Sequence, residues 1–197
     1  MEKIILASAS PRRSEILKNI GLDFEVLVSD ADESSISAEC GAELYVQELA
    51  LLKAAAAAKK ADYTKDALVI SADTVVVLDG QILGKPEDEN DAVKMLEMLS
   101  GREHEVITGI CVFRLKDAFS VCDRVVTKVK FKNLSRDIID LYVNTKEPMD
   151  KAGAYGIQGM GAVLCEKLDG DYFNVVGLPV SRLADILREE FGIEVLK

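Results

Sequence analysis

Tryptophan is absent from the 197 residues, histidine occurs once and proline four times. A lone histidine, His104, excludes any metal centre built from several imidazoles and leaves one partner for a Ser-His-Asp or Cys-His relay. It lies in HEVITGICVF, where it reads as a strand-edge side chain, so acid–base chemistry is expected to fall to carboxylates and lysines. The four cysteines, Cys40, Cys111, Cys122 and Cys165, contain no C-x-x-C pair, which argues against a zinc site or a redox dithiol and for reduced thiols in a cytosolic protein. No apolar run reaches membrane-spanning length, and the start passes at once into Ile4-Ile5-Leu6 without a basic, apolar, cleavable progression. The expectation is a cytoplasmic chain with no membrane partner. Cations are the scarcer charge, 24 Lys and Arg against 34 Asp and Glu for a net −10. That balance argues against nucleic acid as a partner and leaves room for a small anionic substrate held by a few local cations.

What is present is core-forming material. At 49% apolar content the length fits one domain, residues 1–197, with no linker or repeat and at most two lobes. The opening KIILA (3–7) reads as a strand, followed by a helix with Ser10 as N-cap, Pro11 at its first position, a stripe of Ile16, Leu17 and Ile20, and Gly21 as its left-handed stop. FEVLVS (24–29) alternates like a strand and leads into the acidic loop DADESSISAE. The alanine-rich run 42–62 is a strong helix signal. ALVISADTVVVLDGQIL follows as a long buried strand with Asp79-Gly80 as a hairpin turn. DENDAVKMLEMLSG predicts a capped helix ending before Gly101, and residues 104–115 and 119–134 predict paired antiparallel strands. Residues 135–145 form a short helix capped by Ser135, a glycine-rich stretch follows, and a last helix is entered at Pro179. Strands and helices alternate irregularly, which predicts an α/β fold on a mixed, partly antiparallel sheet.

Six places carry polar residues where chemistry is plausible. In SASPRR a helix N-terminus presents unpaired N–H groups beside Ser8, Ser10, Arg12 and Arg13, a phosphate cradle in outline; the alternative is a capped helix with solvated arginines. In SADT, Asp73 interrupts the most apolar strand of the chain, a costly place for a carboxylate unless it is paired or holds a cation; the alternative is a strand bend. Glu33 in the acidic loop offers a second carboxylate for a divalent ion. Lys53 sits between Leu52 and Ala54 in the alanine-rich helix, where it must snorkel or find an anion. Lys85 in GQILGKP follows a hairpin; Pro86 stands where a P-loop needs Ser or Thr, so a P-loop is rejected and a phosphate contact retained. Finally, DKAGAYGIQGMGA surrounds Gln158 with glycines that allow close backbone approach, and its amide can read a base edge.

Taken in this order, SASPRR, SADT, GKP and DKAGAYGIQGMGA, with GDYFNVVGLP (170–179) near the end, the chain resembles the Maf family of nucleoside triphosphate pyrophosphatases over nearly its whole length. The resemblance implies a two-lobed fold with a central cleft, similar in shape to the inosine triphosphate pyrophosphatases, and usually a homodimer. It implies hydrolysis of a nucleoside triphosphate to monophosphate and pyrophosphate with a divalent cation, Mg2+ or Mn2+. Asp73 then matches the proton acceptor, and Arg12, Thr74 and Gln158 match positions tied to substrate choice. Ser8, Arg13, Lys53 and Lys85 match the phosphate-binding set, and Glu33 joins Asp73 at the metal. The DKAGAYGIQG form resembles the branch acting on dTTP and UTP, since the 7-methyl-GTP branch has a Phe- and Glu-containing sequence there. Whether Asp73 takes the proton or only holds the metal stays open at this level. A regulator of septum formation with incidental hydrolysis is the alternative from another class.

Overall fold

The computed structural model describes residues 3–61 and 66–196. The fold is mixed α/β. Strands β1 (Lys3–Leu6), β2 (Phe24–Val26), β3 (Ala67–Leu78), β4 (Gln81–Leu83), β5 (Glu103–Arg114), β6 (Ser120–Phe131) and β7 (Cys165–Asp169) hydrogen-bond in the order β2-β1-β3-β5-β6-β7, with β4 on β3. Helices α1 (Pro11–Asn19), α2 (Ala42–Lys60), α3 (Glu89–Leu99), α4 (Arg136–Asn144), α5 (Tyr172–Val176) and α6 (Val180–Phe191) intervene. The chain forms two compact units, the first comprising Met1–Asp73, Thr108–Val125 and Gly177–Lys197, the second Thr74–Ile107 and Val126–Val176.

In the first unit β1 runs parallel to both neighbours, with Ile4 opposite Phe24 and Leu68, and Leu6 opposite Val26 and Ile70. Buried on both faces, β1 and β3 read as continuous apolar runs, as strands of a covered parallel pair do. Against them lies α2, whose buried Ala50, Ala54, Ala57 and Ala58 pack with Ile5, Val69, Cys111 and Leu115. Small residues let this helix come close. A Cβ on Gly109 of β5 would stand 2.2 Å from the Val46 carbonyl oxygen and 2.8 Å from the Gln47 nitrogen, so the position requires glycine. The expected last residue of this helix, Asp62, lies outside the described residues.

In the second unit Asp79 and Gly80 turn β3 into β4, pairing Val76 with Leu83 and Leu78 with Gln81. β6 pairs antiparallel with β7, Val129 opposite Leu168. The core gathers Val76, Leu83, Leu96, Leu99, Phe131, Ile139, Tyr142 and Leu164. Asp88 caps α3 through Asp91 N–H at 2.8 Å, and Ser135 caps α4 through Ile138 N–H at 3.4 Å.

Several expectations shift. β2 stops at Val26, with Val26 and Val28 exposed. Ser10 occupies the cap position of α1, but its side chain makes no cap bond; its N–H donates to the Ser8 hydroxyl at 3.2 Å. Ile20 lies just past the helix and is only half-buried. His104 is no edge residue: it is 2% exposed, its Nε2 is 2.8 Å from the Tyr155 hydroxyl, and its ring meets Phe131 and Tyr155 edge-on.

Candidate active site

The sequence places Asp73 in a buried strand, and the first unit supplies the cation that such a carboxylate needs. Lys53 Nζ lies 2.5 Å from Asp73 Oδ1 and 3.1 Å from Glu33 Oε1. Lys53 and Asp73 side chains are each 14% exposed, whereas Glu33 is 54% exposed. A 19-residue helix delivers the lysine, and the register of β3 fixes the aspartate. The serine of the same SADT stretch points into structure: Ser71 Oγ donates to the Ala50 carbonyl at 2.6 Å, tying β3 to the turn of α2 just before Lys53. One residue not singled out from sequence joins this cluster. Burial first, then the negative charges of Asp73 and Glu33, raise the Tyr45 hydroxyl above its usual range. The signal was the helical spacing 45, 49, 53, which puts Tyr45 and Lys53 on one face of α2.

Arg13 of the opening turn is built into the unit. Its Nε donates to the Gly177 carbonyl at 2.7 Å, and its Nη1 to the Ala72 carbonyl at 2.8 Å and the Ser8 hydroxyl at 3.2 Å. Burial lowers its pKa, opposed by the Asp73 carboxylate. The guanidinium thus fastens the start of α1 to the backbone immediately before Asp73. Ser8 is buried, and Arg12, next to Arg13 in the chain, is half-buried.

Structure therefore brings Ser8, Arg13, Glu33, Lys53 and Asp73 together within the first unit, with Arg12 adjacent in sequence. Thr74, Lys85 and Gln158 belong to the second unit. There Lys85 is exposed, and its neighbour Gly84 accepts the Gly153 N–H at 2.9 Å, joining the GKP turn to the glycine-rich segment. Gln158 is half-buried and opens a short 3-10 turn, Gly159–Leu164, without capping it.

Among the described residues no group of three or more His, Cys, Asp or Glu is arranged to hold a metal ion. Asp73 and Glu33 provide two carboxylates that share one lysine. Hard oxygen donors in that number suit a cation such as Mg2+, which is ordinarily held by one or two carboxylates with the remaining positions left to water and phosphate. No helix among the described residues is long and apolar enough to cross a membrane.

A family model described as Maf-like protein matches residues 3–190. The chain is 57% identical over 201 aligned residues to a dTTP/UTP pyrophosphatase of Acetivibrio thermocellus, covering 100% of this chain and 99% of the relative. It is 52% identical over 192 residues to a protein of the same name from Clostridioides difficile, covering 98% and 97%. Among solved structures, a HAM1 protein from Coxiella burnetii matches with a TM-score of 0.53 at 18% identity, over 96% of this chain and 100% of that one, a likeness of fold. With the family model spanning nearly the whole length and relatives above 50% identical end to end, the chain belongs to the Maf family.

Proposed function

We propose that this protein is a nucleoside triphosphate pyrophosphatase that converts dTTP and UTP to the monophosphate and pyrophosphate, as a cytoplasmic homodimer. The observation that carries the reading is the Asp73–Lys53–Glu33 cluster, a carboxylate set in a buried strand beside an ammonium group, in a chain more than half identical to relatives named dTTP/UTP pyrophosphatase. In this reaction water attacks the α-phosphorus, the bond from that phosphorus to the bridging oxygen breaks, and pyrophosphate leaves.

Asp73 accepts the proton of the attacking water. Lys53 holds the carboxylate in place in the free protein and turns to the phosphoryl oxygens when substrate arrives. Arg13, Ser8 and Lys85 contribute donors to the triphosphate, and charge-assisted bonds from arginine and lysine offset what accumulates on the leaving group. Asp73 and Glu33 are the residues that would hold Mg2+ or Mn2+. Such an ion supplies charge neutralisation on the phosphates and a more acidic water. Arg12, Thr74 and Gln158 set substrate choice, with the Gln158 amide offering one donor and one acceptor face to a pyrimidine edge.

The test is product identification. The purified protein is incubated with dTTP, UTP and a panel of common and modified triphosphates, with Mg2+, with Mn2+ or with chelator. Pyrophosphate and monophosphate in equal amounts, fastest from dTTP and UTP and lost with chelator, are expected. Orthophosphate release, or a purine triphosphate turned over fastest, overturns the assignment.

A further inference from the structure

The glycine-rich segment around Gln158 is organised by a carboxylate that lies outside it. Glu147 stands after α4, in a 3-10 turn Glu147–Asp150. Its Oε1 accepts the Tyr142 hydroxyl at 3.0 Å and the Gly161 N–H at 3.1 Å, and its Oε2 accepts the Met160 N–H at 3.0 Å. The Tyr142 oxygen in turn accepts the Gly156 N–H at 3.1 Å. Phenol and carboxylate therefore grip the backbone two residues before Gln158 and two and three residues after it.

Glycines 159 and 161 are explained by this grip. A Cβ on Gly159, which has φ +75, would stand 2.9 Å from Glu147 Oε2; one on Gly161 would stand 2.6 Å from the Tyr142 hydroxyl and 2.3 Å from the Gly156 carbonyl oxygen. Glu147 is itself fixed, its carbonyl accepting Lys151 Nζ at 2.5 Å and its N–H donating to Thr145 Oγ1 at 3.1 Å. Burial pushes the Glu147 carboxyl upward, but the Gly161 and Met160 N–H groups and the Tyr142 hydroxyl outweigh it, so the group stays ionised below its ordinary range. An ionised acceptor with two N–H donors and a phenol makes bonds of the stronger kind.

We propose that Glu147, clasped by Tyr142, is a positioning residue that holds Gln158 in the orientation needed for base selection. The inference rests on the assignment of Gln158 to substrate choice made above. A backbone pinned on both sides leaves Gln158 little freedom except its own side-chain rotamers, so its amide is presented already ordered and binding need not immobilise the loop.

The experiment combines Glu147→Ala, Glu147→Gln and Tyr142→Phe with Gln158→Ala in the full-length protein. Two quantities are read: the ratio of kcat/KM for UTP over GTP, and amide hydrogen exchange at Met160 and Gly161. Melting temperatures confirm that each variant is folded. Glu147→Ala is expected to speed exchange at both amides by about tenfold or more and to lower the ratio by about tenfold, the loss of one to two charge-assisted bonds. Glu147→Gln, keeping one acceptor oxygen, falls between. In the Gln158→Ala background Glu147→Ala should lower the ratio no further. Parent-like exchange, or a further drop in that background, overturns the inference. A shifted ratio for Gln158→Ala without one for Glu147→Ala overturns this inference alone. A parent-like ratio for Gln158→Ala removes Gln158 as base reader and this inference with it.

Discussion

Lys53 Nζ stands 2.5 Å from Asp73 Oδ1, an ammonium from an alanine-rich helix meeting a carboxylate from an apolar strand. Either group alone would be costly where it sits, and each resolves the other's cost. In the proposed reaction the same pair would set the carboxylate that takes the water's proton beside a cation for the phosphoryl oxygens.

Asp73→Asn keeps the shape of the side chain and removes its capacity to accept a proton. Pyrophosphate release from dTTP and UTP is expected to fall by about a thousandfold, within the range usual for loss of a general base. The melting temperature should fall somewhat, because the amide oxygen still accepts from Lys53 but the charge opposite that ammonium is lost, so the variant is first shown to be folded. Near-parent rates in a folded variant would take Asp73 out of the mechanism.

Gly109→Ala tests how the lysine is delivered. The added methyl group would meet the Val46 carbonyl at 2.2 Å, and a helix backbone cannot yield as a flexible side chain does. Overpacking of this kind costs about 2–3 kcal/mol, roughly 5–10 °C of melting temperature for a chain of this size. Because α2 carries Lys53, activity at permissive temperature should fall as well. An unchanged melting curve would show that the helix shifts freely.

Much of this architecture was legible in the residues. The alanine-rich helix declared itself by propensity, β3 by its apolar run, the hairpin by Asp79-Gly80, and Asp73 by being a charge in the wrong solvent. The failures share a cause, which is that the deciding partner lies far away in sequence. β7, CEKLD, is short and polar, and exists because β6 offers it a ladder. His104 looks like an edge residue until Tyr155 and Phe131 close over it. The glycines around Gln158 suggested room for a ligand, whereas at 159 and 161 they admit Glu147 and the Tyr142 hydroxyl. Of the site residues, the first-unit set came together as a physical cluster, and the role of each was legible only through family resemblance.

His104 should make stability pH-dependent. Desolvation lowers its pKa to about 4, against about 6.5 for an unfolded histidine. The folded state therefore binds fewer protons than the unfolded state between those values, so this stability is complete above pH 6.5 and is lost as pH falls toward 4. At pH 5 the loss from this one group is about 2 kcal/mol. Urea unfolding at pH 7.5 and pH 5 measures it. His104→Phe, less stable at pH 7.5 for want of the Tyr155 bond, should lose about 2 kcal/mol less than the parent on acidification; an equal loss would clear His104 of the acid response.

Arg13 has structural bonds besides its proposed place at the triphosphate. Its guanidinium donates to the carbonyls of Gly177 and Ala72, positions 164 and 59 residues away in the chain. Lysine keeps the charge and can supply one of those bonds, but its single nitrogen cannot reproduce a fork that serves two carbonyls and a hydroxyl at once. Arg13→Lys is therefore expected to destabilise the protein by about 2 kcal/mol, the scale of a lost charge-assisted bond with a carbonyl left unpaired. Activity should fall further than Tm alone explains, since Ala72 directly precedes Asp73 and a released strand lets the carboxylate drift. Denaturant unfolding read alongside dTTP hydrolysis separates the two effects. A variant with parent stability and lowered activity would make Arg13 a phosphate ligand only, whereas loss of both places it first in the frame that aims Asp73.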